Sequence, residues 1–167
     1  MDSMRIIELL DLKPLPREGG YYRETYRSVR SVSVRNASGR SEVERSLSTA
    51  IYYLITPDSF SALHRLPGDE IFHFYYGDPV TMVVLHPDGG METYIMGLNF
   101  AAGERPQSVA PGGAWQGMRL VEGGVFALMG TTMSPGFDFD DYEPGGRDSL
   151  IGQYPLHSEL IQKYTRD

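Results

Sequence analysis

The sequence predicts an all-β fold, a sandwich or jelly roll with a short helix near each end. Short runs rich in β-branched and aromatic residues recur from Ser46 onward, and clusters of Pro, Gly and Asp separate them. No internal repeat or linker divides the chain, so residues 1–167 are expected to form one domain. That length is sufficient for one sizeable core.

At the N-terminal end, Ser3 is the expected cap of a short helix with Ile6, Ile7, Leu9 and Leu10 on one face, ending before Pro14. Gly19-Gly20 then opens a strand over residues 21–26. Residues 35–40, Arg-Asn-Ala-Ser-Gly-Arg, read as a polar turn within a Ser/Arg-rich stretch (residues 28–45) whose composition favours disorder. Strands follow over residues 49–55, 60–66, 71–76, 80–85, 92–98, 115–120 and 125–131. Turn formers such as Thr56-Pro-Asp, Pro67-Gly-Asp, Pro87-Asp-Gly-Gly and Glu122-Gly-Gly stand between them. Pro155 can start a last helix with Leu156, Leu160, Ile161 and Tyr164 on one side.

Composition excludes several function classes. A net charge of −7 repels phosphate backbones, so no nucleic-acid partner is expected. No run approaches the ~18 apolar residues of a membrane span, and no basic segment leads into an apolar one as in a secretory signal. Cysteine is absent, which removes disulfides, thiolate metal sites and Cys nucleophiles. The expected compartment is cytoplasmic, by elimination. Neither a Gly-x-Ser-x-Gly elbow nor a phosphate-binding glycine loop is present.

The run from His64 to Gly77 carries the most information. A strand, a Pro-Gly turn and a second strand bring His64 and Glu70 together across a hairpin. The spacing resembles the first motif of the cupin superfamily, His-x-His, three or four residues, Glu, six residues, Gly, with Leu66 in place of the second histidine. Pro111-Gly-Gly-Ala-Trp-Gln116 resembles the second motif, with Gln116 where its histidine would stand. Together with residues 19–26, 48–54, 103–107 and 135–140, these motifs make the chain similar to the DUF985 (cupin-5) group. The resemblance covers residues 9–155. It implies a cupin double-stranded β-helix (an RmlC-like jelly roll) and a homodimer, and it brings no reaction with it.

Of four metal ligands in the general cupin pattern, His64 and Glu70 remain. An aliphatic side chain cannot ligate and a neutral amide oxygen ligates weakly, so no tightly held metal and no cofactor is expected. If a metal were held, its ligands would be His64, Glu70, His73 and Gln116. Strand alternation sets His73 on the face opposite Glu70 unless a β-bulge shifts the phase. Candidate ligand-binding residues are His64, Glu70, His73, Gln107, Gln116 and Arg23. Arginine suits carboxylate or phosphate recognition, and a salt bridge to Glu24 is the alternative use of Arg23. Trp115 should point away from Gln116. The acidic run Phe137-Asp-Phe-Asp-Asp141 reads as a solvated loop.

The expected function is binding of a small polar metabolite, sugar-like or nucleotide-sugar-like, inside the barrel. One alternative is a metal-independent sugar isomerase or epimerase, with His64 as base and Glu70 orienting it. The other is a metal-dependent cupin enzyme. All three centre the pocket on His64 and Glu70, with Gln116 opposite.

Overall fold

A computed structural model describes residues 2–36 and 39–166. In chain order the elements are α1 (Ser3–Leu9), β1 (Lys13–Pro14), β2 (Tyr21–Arg27), β3 (Ser31–Arg35), β4 (Glu42–Ser46), β5 (Thr49–Ile55), β6 (Ser61–Arg65) and β7 (Glu70–Gly77). Then follow β8 (Val80–Leu85), β9 (Met91–Met96), β10 (Gln107–Ala110), β11 (Trp115–Leu120), β12 (Ala127–Met133), β13 (Glu143–Pro144), α2 (Arg147–Gln153) and α3 (Ser158–Tyr164). Two antiparallel sheets face each other, ordered β1-β2-β5-β12-β7-β10 and β13-β6-β11-β8-β9, with β3 and β4 as a separate hairpin. The all-β jelly roll read from the motifs is the fold observed.

Alternation along the strands sorts side chains between an interior and two outer faces. Tyr53, Ile55, Phe72 and Phe74 from one sheet meet Val80, Met82, Val84 and Met118 from the other in the main core. On the outside of the five-stranded sheet, Leu63, Val83, Leu85 and Trp115 are covered by Leu150 and Tyr154 near α2 and by Ile161 and Tyr164 of α3. Strand β8 is thus covered on both sides, which explains its nearly unbroken apolar run. At one end of the six-stranded sheet, Ile6 and Leu12 pack on Leu54 and Phe126.

Several local expectations are corrected. The cap of α1 is Asp2, whose carboxylate accepts the Arg5 N–H at 2.8 Å, and Leu9 is exposed rather than on the buried face. The Ser/Arg-rich stretch holds the β3–β4 hairpin, with cross-strand bonds such as Ser31 Oγ to Glu44 Oε2 at 2.7 Å. The polar turn expected at residues 35–40 includes residues 37 and 38, which lie outside the described residues. Strand β10 and helix α2 were not anticipated. Pro155 starts a single 3-10 turn, with Leu156 93% exposed, and α3 begins only at Ser158. Among the described residues, no helix is long and apolar enough to cross a membrane.

Candidate functional site

The two glycine turns of the motifs interlock. Gly112 donates its N–H to Asp69 Oδ1 at 2.8 Å, and Gly113 donates to the Leu66 carbonyl at 2.8 Å. A Cβ on Gly112 would lie 2.4 Å from the Pro67 carbonyl oxygen, so only glycine permits this approach. The β6–β7 hairpin is thereby held against the start of β11. His64 on β6 pairs with Gln116 on β11 in register, and Glu70 opens β7 beside them.

The side chains form one buried network. His64 is 1% exposed, Gln116 2% and Glu70 8%. The His64 Nδ1–H donates to the Ala62 carbonyl at 2.8 Å, which leaves Nε2 as an acceptor. The Gln116 amide supplies both remaining donors: Nε2 reaches Glu70 Oε2 at 2.8 Å and His64 Nε2 at 3.3 Å. This amide orientation alone presents hydrogens to both acceptors. Gln116 Oε1 is buried without a hydrogen-bond partner among the described residues. The His64 ring stacks on Tyr142 with centroids 5.2 Å apart.

Glu18 completes the network and was missed in the sequence. It precedes Gly19-Gly20, one residue short of the motif segment at 19–26. Its Oε1 accepts from Ser61 Oγ at 2.9 Å, and its Oε2 lies 3.7 Å from His64 Nε2. The backbone here is tied down from a distance: Ala62 N–H donates to the Glu18 carbonyl at 3.0 Å, and the Arg166 guanidinium donates to the carbonyls of Arg17, Glu18 and Phe60.

A cavity of about 370 Å³ opens onto this network from the interior faces of β2, β5, β7 and β12. Its wall includes Glu18 and Glu70 but neither His64 nor Gln116, which lie behind the carboxyl groups. Burial, then the neighbouring Glu18 charge, push the Glu70 carboxyl up from 4.5 to about 7. Burial likewise raises the Tyr53 hydroxyl.

The remaining predicted site residues fall elsewhere. His73 and Gln107 are cross-strand partners on the outer face of the six-stranded sheet, joined at 3.1 Å, and His73 Nε2 also meets Thr132 Oγ1 at 3.0 Å. No bulge shifts their phase relative to Glu70, so neither reaches the cavity. Arg23 is also on the outer face, its guanidinium 5.4 Å from the Tyr52 ring centroid. Its neighbour Glu24 and Arg27, beyond a bulge, line the cavity instead. The acidic run is not a solvated loop: Phe137, Asp138 and Phe139 line the cavity, and Asp141 forms a mostly buried salt bridge to Arg45 at 2.7 Å. Trp115 points away from Gln116 as expected, into the layer under the C-terminal helices.

The sequence profile of the cupin-5 family, described as Cupin superfamily (DUF985), matches residues 4–144. The chain belongs to the cupin-5 family. The Saccharomyces cerevisiae protein YML079W, described as uncharacterized, is 36% identical to this cupin over 134 residues, 75% of the chain and 67% of that protein. A hypothetical protein from Leishmania major superposes with a TM-score of 0.89 at 32% identity, over 100% of both chains. Protein SO0799 from Shewanella oneidensis superposes at 0.86 with 36% identity, over 99% of this cupin and 98% of its own chain.

The donor set does not fit the metal that the general cupin pattern implies. Leu66 is apolar, and Gln116 brings a neutral amide, a weak ligand, to the position where the pattern has an imidazole. Among the described residues no group of three or more His, Asp or Glu is arranged to hold a metal ion.

Proposed function

We propose that this cupin binds a small polar metabolite in the barrel cavity, against the Glu18 and Glu70 carboxyl groups, without a resident metal. The observation that carries this reading is a cavity whose inner wall holds the Glu18 and Glu70 carboxyls, held in place by Ser61 and Gln116 respectively. His64 and Gln116 then serve as the support that fixes Glu70 rather than as direct contacts. Native mass spectrometry of the purified protein, with and without a Thr131→Trp substitution that fills the cavity, tests this. A co-purifying small molecule retained by the wild type and lost from the variant is expected. Elemental analysis showing a stoichiometric transition metal would overturn the metal-free part.

A second reading is proton transfer on the bound molecule. It is favoured by the Glu70 carboxyl, which titrates near neutrality where a general acid–base group works best. Glu70 replaces His64 as the proton carrier in this reading, because the imidazole is enclosed and both ring nitrogens are engaged. Solvent deuterium entering a carbonyl-adjacent position of a keto-sugar, abolished by Glu70→Gln, is the expected result.

We also propose a homodimer through the outer face of the six-stranded sheet. Tyr75, Tyr76 and Val109 are exposed there, apolar surface that a twofold mate would cover. A sedimentation mass equal to one chain at micromolar concentration would refute it.

A further inference from the structure

We infer that the cavity selects a cation: a small, hydroxyl-bearing molecule with a protonated amine, and not a phosphate or carboxylate. This rests on the proposal that the cavity binds a ligand, and it narrows the ligand's chemistry.

The hydrogen-bonding groups left free on the cavity wall decide what a ligand must supply. The N–H donors near the inner wall are already engaged. Both hydrogens of the Gln116 amide go to Glu70 and His64. The Tyr53 hydroxyl donates to the Gly19 carbonyl at 2.9 Å, and Ser61 donates to Glu18. Among the described residues the cavity's cationic side chain is Arg27, which clasps Glu24 with Nε to Oε1 at 3.0 Å and Nη2 to Oε2 at 2.7 Å, bonds the Phe137 carbonyl and reaches Ser46 Oγ at 3.4 Å. What the deep wall presents is carboxyl oxygen, from Glu18 and Glu70, beside the Thr131 hydroxyl. A phosphate or carboxylate placed there would meet the like charge of Glu18, while the Arg27 guanidinium is committed to Glu24. An ammonium would supply the donors and opposite charge that these oxygens lack.

The mouth agrees with the floor. Tyr22, Phe137 and Phe139 form an edge-to-face cluster, with centroids 6.4 Å apart for Tyr22–Phe139 and 5.0 Å for Phe137–Phe139. Asp138 lines the cavity between the two phenylalanines. Aromatic faces attract cations and the apolar faces of sugar rings, and they offer nothing to an anion. Arg27 does not reverse the sign, because Glu24 cancels it at close range.

Ligand-observed NMR on the full chain at low ionic strength tests the inference. Three matched pools of small polyols would be compared, bearing an ammonium, no charge or a phosphate. Each would be screened against the wild type, a cavity-filled variant (Thr131→Trp, with Ile51→Phe as a milder filling) and the Glu18→Gln/Glu70→Gln double variant. The double variant keeps the shape of the wall and removes its charge. Hits concentrated in the ammonium pool, lost on filling and weakened about tenfold or more in the double variant, are expected. Hits that filling abolishes but that fall mainly in the phosphate or uncharged pools would overturn the cation inference while leaving the cavity as a binding site. If filling abolishes no hit, the binding proposal itself fails and the inference fails with it.

Discussion

Replacing Glu70 by Gln should make the protein more stable, and the gain should depend on pH. The glutamine keeps the size of the side chain and an oxygen for the Gln116 amide, so packing is preserved. The charge is what changes. In the folded protein the carboxyl is pushed up from 4.5 to about 7 by burial and by Glu18. The folded state therefore holds this proton more tightly than the unfolded chain. The resulting stability is fully present below about pH 4.5 and is lost as pH rises through 7. At ~1.4 kcal/mol per pH unit, the loss is on the order of 3 kcal/mol. Glu70→Gln abolishes that loss. The stability difference between variant and wild type should be constant below pH 4.5 and grow in favour of the variant by this amount above pH 7. Urea unfolding at fixed protein concentration and several pH values measures it, since titrations of groups that do not interact with Glu70 cancel in the difference. A difference that stays flat from pH 4 to 8, or a variant that weakens with rising pH, would refute the raised carboxyl and the Glu18–Glu70 coupling with it.

Other outcomes follow from the same geometry. Gln116→Leu leaves Glu70 Oε2 and His64 Nε2 buried without their donor. It should cost about 2–3 kcal/mol in urea unfolding at pH 8 and less at pH 5, where Glu70 carries its own proton. Gly77→Ala meets a φ of +107° and a Cβ position 2.4 Å from the Phe126 carbonyl oxygen. A loss of about 2 kcal/mol or more, read as a lower Tm, is expected. Arg166→Ala removes the guanidinium that fastens residues 17, 18 and 60. Amide exchange at residues 17–20 should quicken while the strands of the core keep their protection, and unchanged exchange there would show the Glu18 loop to be held by other means.

The sheet architecture was legible because it is written in short-range signals. The Pro-Gly turns and the period-two runs specify hairpins, and the His64–Glu70–Gly77 spacing places one of them at the barrel floor. The β3–β4 hairpin was hidden because its exposed positions are Ser, Glu and Arg, a composition that resembles loop. Its alternating Val32, Val34 and Val43 were the readable trace. Side-chain type makes Arg23 a candidate for the pocket but does not say which face of β2 points inward. That face follows from β2 pairing with β5, where Tyr22 lies opposite the buried Tyr53. Glu18 was invisible for a different reason. It lies on no strand, and it reaches the site only through contacts with Ser61, Ala62 and Arg166, all distant in sequence. The exclusion of His64 from the cavity wall was likewise unreadable, since only the Gln116 bridge shows the imidazole to be enclosed.

The position of β12 bears on how the protein is made. It lies between β5 and β7, both of which are synthesised well before it. Until residues 127–133 leave the ribosome, β5 and β7 each lack a neighbour, and the wall carrying Glu70 faces water without Thr131 beside it. A nascent chain arrested before this point would display two open, apolar strand edges, a natural target for chaperones and a hazard for aggregation. Insertion of β12 closes both edges at once. The pocket's back wall is therefore assembled in one late step, and slow translation or premature stops between residues 77 and 127 should be harder on this protein than equal delays elsewhere.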